Sequence, residues 1–369
     1  MSIQAALDPS LVTGAWREGD PPGRRRFLDL GPLLLESGAT LPDVRLAYET
    51  WGAYDGHNAV LVLHALTGDS HVSGPAGPGH PTPGWWSDLV GPGKAIDTDR
   101  FYVVAANILG GCQGSTGPAS TDPDGFPWGG SFPELTVRDQ VQAEVALANE
   151  LGIPSWYGVI GGSAGGMRAL EWAIEFPERV ERLFLLATSA AASAEQVALS
   201  STQIDTIRAD AAYFDGNYYD GPSGPLAGLD LARRLAHISY RSEAELSARF
   251  GREVQPDGRY AVESYLHHHG AKLVNRFDAN SYIVLSAAMN SHDVGRGRGG
   301  VRTALAGIRA ETIVAGIDSD RLYPLHQQQE LADGIPTAGP LAVVTSDHGH
   351  DGFLLESEQV GALARRLLG

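Results

Sequence analysis

The chain has 369 residues, 43% hydrophobic and 19% charged, with a formal charge of −17 and a single cysteine, Cys112. This composition is globular, supports a large core, and excludes a disordered chain; no apolar run approaches a membrane span. The acidity argues against general binding of nucleic acid or an anionic membrane, and one cysteine excludes an intrachain disulfide or a thiolate metal cluster.

Residues 1–22 show no basic stretch followed by an apolar one, so no signal peptide is expected and the cytoplasm is the expected compartment. Residues 23–52 read as an antiparallel opening, with strand character at Phe27-Leu28-Asp29-Leu30 and Arg45-Leu46-Ala47-Tyr48-Glu49-Thr50 and a turn near Ser37-Gly38. Ala59-Val60-Leu61-Val62-Leu63-His64 is a continuous apolar run, the mark of a strand covered on both faces. The stretch 74–93, rich in Gly and Pro, is expected to be mostly loop, and Phe101-Tyr102-Val103-Val104-Ala105 another buried strand. The following loop, 107–133, is long enough to be functional or disordered. Thr136, with Asp139 three residues on, predicts a capped helix start, and Val137, Val141 and Val145 share one helix face.

A strand at Trp156-Tyr157-Gly158-Val159-Ile160 then leads into Gly161-Gly162-Ser163-Ala164-Gly165-Gly166 and a helix beginning Met167-Arg168-Ala169-Leu170. Strand, Gly-x-Ser-x-Gly, helix is the setting of a nucleophile elbow, in which a strained serine stands exposed at the sheet's carboxyl edge above a helix N-terminus. Alone, the motif is weak in a chain with 46 glycines. Its meaning depends on an acid and a histidine following in order.

Residues 182–187 are the next strand. From 190 to 295 the strand-like runs vanish and helical segments take over, at 194–212, 226–237, 243–250 and 261–273. This predicts a helical lid, residues 190–295, inserted into an α/β domain made of residues 1–189 and 296–369. The βα rhythm resumes at 312–316 and 341–344 and closes with a helix over 356–368. His267-His268-His269 has no thiolate or carboxylate at ligand spacing, which favours a solvated or packing role; no metal site is expected.

The last two strands run into loops carrying Asp318 and Asp320, and His348 and His350. Serine, then acid, then histidine is the order of the α/β hydrolases. A serine hydroxyl is a poor nucleophile until an imidazole takes its proton and a carboxylate orients that imidazole. Pattern alone leaves two candidates for each partner.

Several stretches together resemble the homoserine O-acyltransferases of methionine biosynthesis: His64-Ala65-Leu66-Thr67-Gly68-Asp69-Ser70-His71, Asn107-Ile108-Leu109-Gly110-Gly111-Cys112-Gln113-Gly114, the elbow, Arg276-Phe277-Asp278-Ala279-Asn280-Ser281-Tyr282, His292-Asp293-Val294-Gly295-Arg296-Gly297-Arg298-Gly299 and Gly349-His350-Asp351-Gly352-Phe353. The resemblance runs from about residue 25 to the end. It implies an α/β-hydrolase fold with a helical lid, and the triad Ser163, Asp320 and His350. It also implies oxyanion donors on the backbone of Leu66 and Ala164, Arg233 in a lid helix for the substrate carboxylate, and Asp351 for its ammonium. The implied reaction moves acetyl from acetyl-CoA to L-homoserine through an acyl-serine, with no permanently bound cofactor and a homodimer joined through the lid. Succinyl transfer, serine as acceptor, a plain esterase and a non-catalytic binding protein are the rival readings.

Two departures from the family pattern stand out. Ala164 replaces a methionine after the nucleophile, which predicts a wider acyl pocket. The early lid, Ser200-Ser201-Thr202-Gln203-Ile204-Asp205, is also atypical, and acceptor choice is expected to depend on it.

Overall fold

The structure, a computed structural model, describes Asp8 and residues 10–369. Residues 1–7 and 9 of the N-terminal stretch read above lie outside the described residues. Among the described residues, eight strands form the central sheet. They are β1 (Arg26–Leu34), β2 (Thr40–Trp51), β3 (Ala59–Leu63), β4 (Tyr102–Ala106), β5 (Gly158–Gly162), β6 (Arg182–Leu186), β7 (Glu311–Ile317) and β8 (Ala342–Val344). Their spatial order is β1-β2-β4-β3-β5-β6-β7-β8. β2 pairs antiparallel with β1 and with β4, and all later pairings are parallel.

Side chains alternate between two cores, as the two-residue period of a strand requires. Leu61, Leu63, Val159, Leu183 and Leu185 face one core, while Val60, Val62, Ile160, Phe184 and Leu186 face the other. The first face is covered by α1 (Val137–Glu150) and α2 (Ala164–Glu175), which contribute Val141, Leu147, Leu170 and Trp172. The second is closed by the C-terminal helix and by Trp86 and Leu89, so the loop 74–93 does the work of a helix there. Being covered on both sides is why the central strands read as unbroken apolar runs.

Between β6 and β7 the chain leaves the sheet for α3 (Ala194–Arg208), α4 (Leu226–Tyr240), α5 (Glu243–Phe250), α6 (Ala261–Val274), α7 (Ala279–Asn290) and α8 (Val301–Ala306). After β7 come α9 (Leu325–Gly334), α10 (Gly352–Leu355) and α11 (Ser357–Leu368). α3 stops short of residue 212 because Asp210 turns the chain. Its carboxylate accepts the N–H groups of Ala212 at 2.9 Å and Gly228 at 2.8 Å. Helices α3, α4, α6 and α7 build a third core around Ile207, Leu229, Leu273 and Tyr282, which reaches Ile108 and Cys112 of the long loop. That loop is ordered at its start: Ser115 Oγ donates to Asn107 O at 2.6 Å and accepts the N–H of Ala47 at 3.0 Å. No helix among the described residues is long and apolar enough to cross a membrane.

Candidate active site

Ser163 joins β5 to α2 with φ 56° and ψ −126°, a conformation L-residues rarely adopt. The bend is possible because Gly161 and Gly165, two residues to either side, lack side chains. A Cβ on Gly161 would stand 2.2 Å from Gly165 O, and one on Gly165 would stand 2.1 Å from Leu63 O. Thr188 Oγ1 donates to Ser163 O at 2.9 Å and ties the elbow to the end of β6. The serine is not exposed as the motif implied; it is 5% accessible. Residues of α3, α4 and α7 line a cavity of about 50 Å³ together with Leu66, Met167 and Tyr323.

The loops after β7 and β8 bring the other two groups to the serine. His350 Nε2 lies 2.9 Å from Ser163 Oγ, and His350 Nδ1 lies 2.6 Å from Asp320 Oδ2. The carboxylate is itself fixed, because Asp320 Oδ1 accepts the N–H groups of Leu322 at 2.8 Å and Tyr323 at 2.9 Å. All three side chains are buried. Burial alone would lower the basicity of the imidazole, but the charge and hydrogen bond of Asp320, helped by Asp351, outweigh it and raise the His350 pKa. The competing residues face elsewhere. Asp318 accepts the N–H of Ser346 at 2.9 Å and staples the two loops together, and His348 Nδ1 faces Arg241 at 3.5 Å.

Ala164 is the first residue of α2, so its N–H belongs to the group that has no intrahelical acceptor. Leu66 sits on the loop after β3 and lines the cavity. Ala164 does not line it, whereas Met167, Met289 and Leu322 do. Ser200 and Gln203 of α3 line the cavity as well.

Of the two adjacent arginines in α4, Arg233 faces inward. Its Nη1 donates to Thr67 Oγ1 at 3.3 Å and its guanidinium lies over the Tyr240 ring at 5.5 Å. It has no carboxylate partner among the described residues, whereas Arg234 pairs with Asp230 at 2.8 Å. Asp351 follows the histidine and is paired with Arg241, Nε to Oδ2 at 3.1 Å. Burial raises the Asp351 pKa, against the pull of Arg241, His350 and Arg233.

Two aromatic groups of the site were not legible from motif spacing. Tyr323 stacks on His350 with centroids 5.0 Å apart, and Tyr240 approaches the same ring at 5.8 Å. Away from the site, Glu49, His71 and His80 bring ligand-type atoms within 4.8 Å of one another, a grouping the sequence reading did not foresee. Protein groups already engage these atoms. Ser70 Oγ donates to Glu49 at 2.9 Å, His71 Nδ1 lies 3.1 Å from Glu49, and the N–H of Arg24 donates to His80 Nε2 at 3.0 Å. The histidine run divides between packing and solvent: His269 packs on His237 and Tyr265, with centroids at 4.1 and 4.4 Å, and His268 is exposed.

A family model described as the alpha/beta hydrolase fold matches residues 58–357. A homoserine O-acetyltransferase from Thermobifida fusca is 62% identical over 370 residues, covering 98% of each chain. Among solved structures, a homoserine O-acetyltransferase from Bacillus anthracis superposes with a TM-score of 0.85 at 26% identity, covering 94% of this chain and 97% of that one. The esterase E22 does so with 0.86 at 27%, covering 94% and 99%. With the hydrolase elbow, the parallel sheet and near-full-length identity in agreement, the chain belongs to the homoserine O-acetyltransferase family of α/β hydrolases, which are acyltransferases.

Proposed function

We propose that this enzyme moves an acetyl group from acetyl-CoA to the hydroxyl of L-homoserine by way of an acyl-serine, as a step of methionine biosynthesis. His350 Nε2 takes the proton of Ser163 as Oγ attacks the thioester carbonyl. The oxyanion is held by the N–H groups of Leu66 and Ala164. As it collapses the C–S bond breaks, and the CoA sulfur leaves with the proton from His350. The homoserine hydroxyl then gives its proton to His350 and attacks the acyl carbon, and Ser163 departs reprotonated. Water is the competitor at every turnover, so transfer requires a held acceptor.

The observation that carries this reading is Arg233, a guanidinium that has no carboxylate partner among the described residues and lies over Tyr240, whose ring approaches His350. It is suited to the acceptor carboxylate, with Asp351 Oδ1 for the ammonium. The reading includes no resident metal or cofactor and no nucleic-acid or membrane partner, in keeping with the charge of −17, and a cytoplasmic location. It also includes a homodimer joined through the lid, residues 190–295, supported by the half-exposed Leu231 and Ile238 two turns apart on α4.

The esterase neighbour supports a second reading, simple hydrolysis. CoA release from acetyl-CoA, followed with and without L-homoserine and then with L-serine or succinyl-CoA in exchange, separates the two. Acceleration by homoserine with formation of its acetyl ester is expected. Equal release with and without the amino acid would make the protein an esterase.

A further inference from the structure

An oxyanion hole works only if both donors stand where the charge will appear. Ala164 is carried by α2 itself, but Leu66 sits on a loop beyond the last hydrogen-bonded residue of β3. One side chain spans the two. Arg168, one turn after Ala164 on α2, donates from Nη2 to the carbonyl of His64 at 2.6 Å. Its Nη1 pairs with Glu144 of α1, whose other carboxylate oxygen accepts the Trp172 indole N–H at 2.8 Å. Arg168 and Trp172 are 0% accessible and Glu144 is 2%. A buried ion pair is a poor way to stabilise a core, since well-packed apolar residues do as well or better. What an apolar pair cannot do is grip a backbone carbonyl two residues before Leu66. The missing Cβ of Gly165 lets α2 approach closely enough for that grip.

We infer that Arg168 is a positioning residue that sets the spacing between the two oxyanion donors, with Glu144 and Trp172 holding its guanidinium in place. This rests on the acyl-serine reading above but not on the identity of the acceptor. The test therefore uses the first half-reaction alone. Arg168→Met by itself would strand the Glu144 charge in the core, so the principal variant is Arg168→Met with Glu144→Gln, which is neutral and leaves an amide oxygen for Trp172. Two readouts are taken: the burst of nitrophenol from p-nitrophenyl acetate, and affinity for a trifluoromethyl ketone that forms a tetrahedral adduct on the serine. In the folded double variant both are expected to fall together by roughly 10- to 100-fold, short of the loss from deleting a donor outright. The pH limb of the burst rate, set by His350, should stay in place.

Burst rate and inhibitor affinity both equal to those of the unaltered enzyme would overturn the inference, as would a slower burst with unchanged inhibitor affinity. Should the double variant not fold, Arg168→Lys keeps the charge opposite Glu144 but offers no fork to reach both acceptors. It should show a smaller parallel loss in both readouts, and wild-type values there would equally overturn the proposal. Absence of any burst in the unaltered enzyme would instead count against the acyl-serine reading itself.

Discussion

Asp318 and Asp320 show how two identical side chains on one loop come to serve different ends. Asp318 hydrogen-bonds the backbone of Ser346, while Asp320 is anchored by two backbone N–H groups and aimed at His350. Replacing Asp320 by Asn should lower the acylation rate on the order of 10⁴-fold with little change in fold, because the amide cannot hold the same imidazole tautomer or stabilise its cation. The pH dependence follows from the same contact. A raised His350 pKa keeps the base protonated, and therefore inactive, to a higher pH than an ordinary imidazole. Acylation measured as kcat/KM from pH 5 to 9 should rise through a midpoint above 6.5, the ordinary imidazole value. In Asp320→Asn that limb should move to lower pH. A wild-type midpoint below 6.5 would contradict the electrostatics proposed here.

Among the elements, α4 and α1 allow function and stability to be tested separately. α4 turns Arg233 toward Thr67 and Arg234 toward Asp230, although the two are adjacent in sequence. Arg233→Leu should raise KM for homoserine roughly 10- to 100-fold, the loss expected for charge-assisted hydrogen bonds of about 1.5–3 kcal/mol. Stopped-flow acylation by acetyl-CoA should be nearly unchanged, and Arg234→Leu should spare both. An equal loss in the first half-reaction for Arg233→Leu would remove it from the acceptor site. α1 begins with a capping box: the N–H of Asp139 donates to Thr136 Oγ1 at 3.2 Å, and the N–H of Thr136 donates to Asp139 Oδ2 at 2.8 Å. Thr136→Ala should cost about 1 kcal/mol in urea unfolding without altering kcat.

For the whole molecule, buried histidines set the acid limit. His64 accepts the N–H of Ile108 on Nε2 and faces Ala65 O from Nδ1, so burial and the nearby Arg168 lower its pKa to about 3. His292 is brought to about 4, chiefly by burial. In the unfolded chain such groups take a proton near pH 6.5. Between that pH and the folded values the unfolded state binds more protons, so stability should fall as pH drops from about 6.5 toward 3 and flatten below. Urea midpoints at pH 7, 6 and 5 would show the decline. His292→Gln should make it shallower, and a midpoint independent of pH over this range would refute the account.

The strands and the elbow could be read along the chain because their causes are local. Alternation between two cores demands continuous apolar runs, as in Ala59-Val60-Leu61-Val62-Leu63, and a hairpin-tight bend around a serine demands glycines at 161 and 165. Helix α7 escaped that reading beyond its opening motif. Its apolar residues face several neighbours at once, with Ile283 and Leu285 in the third core and Val284 against the main core, which erases the one-sided pattern of an amphipathic helix. That Asp320 and not Asp318 meets His350, that His350 and not His348 meets Ser163, and that Arg233 and not Arg234 faces Thr67 depends on where loops and helix faces point after packing. So does the grip of Arg168 on the carbonyl of His64, 104 residues earlier in the chain. Contacts between distant segments exist only once burial has brought those segments together, and no spacing along the chain encodes them.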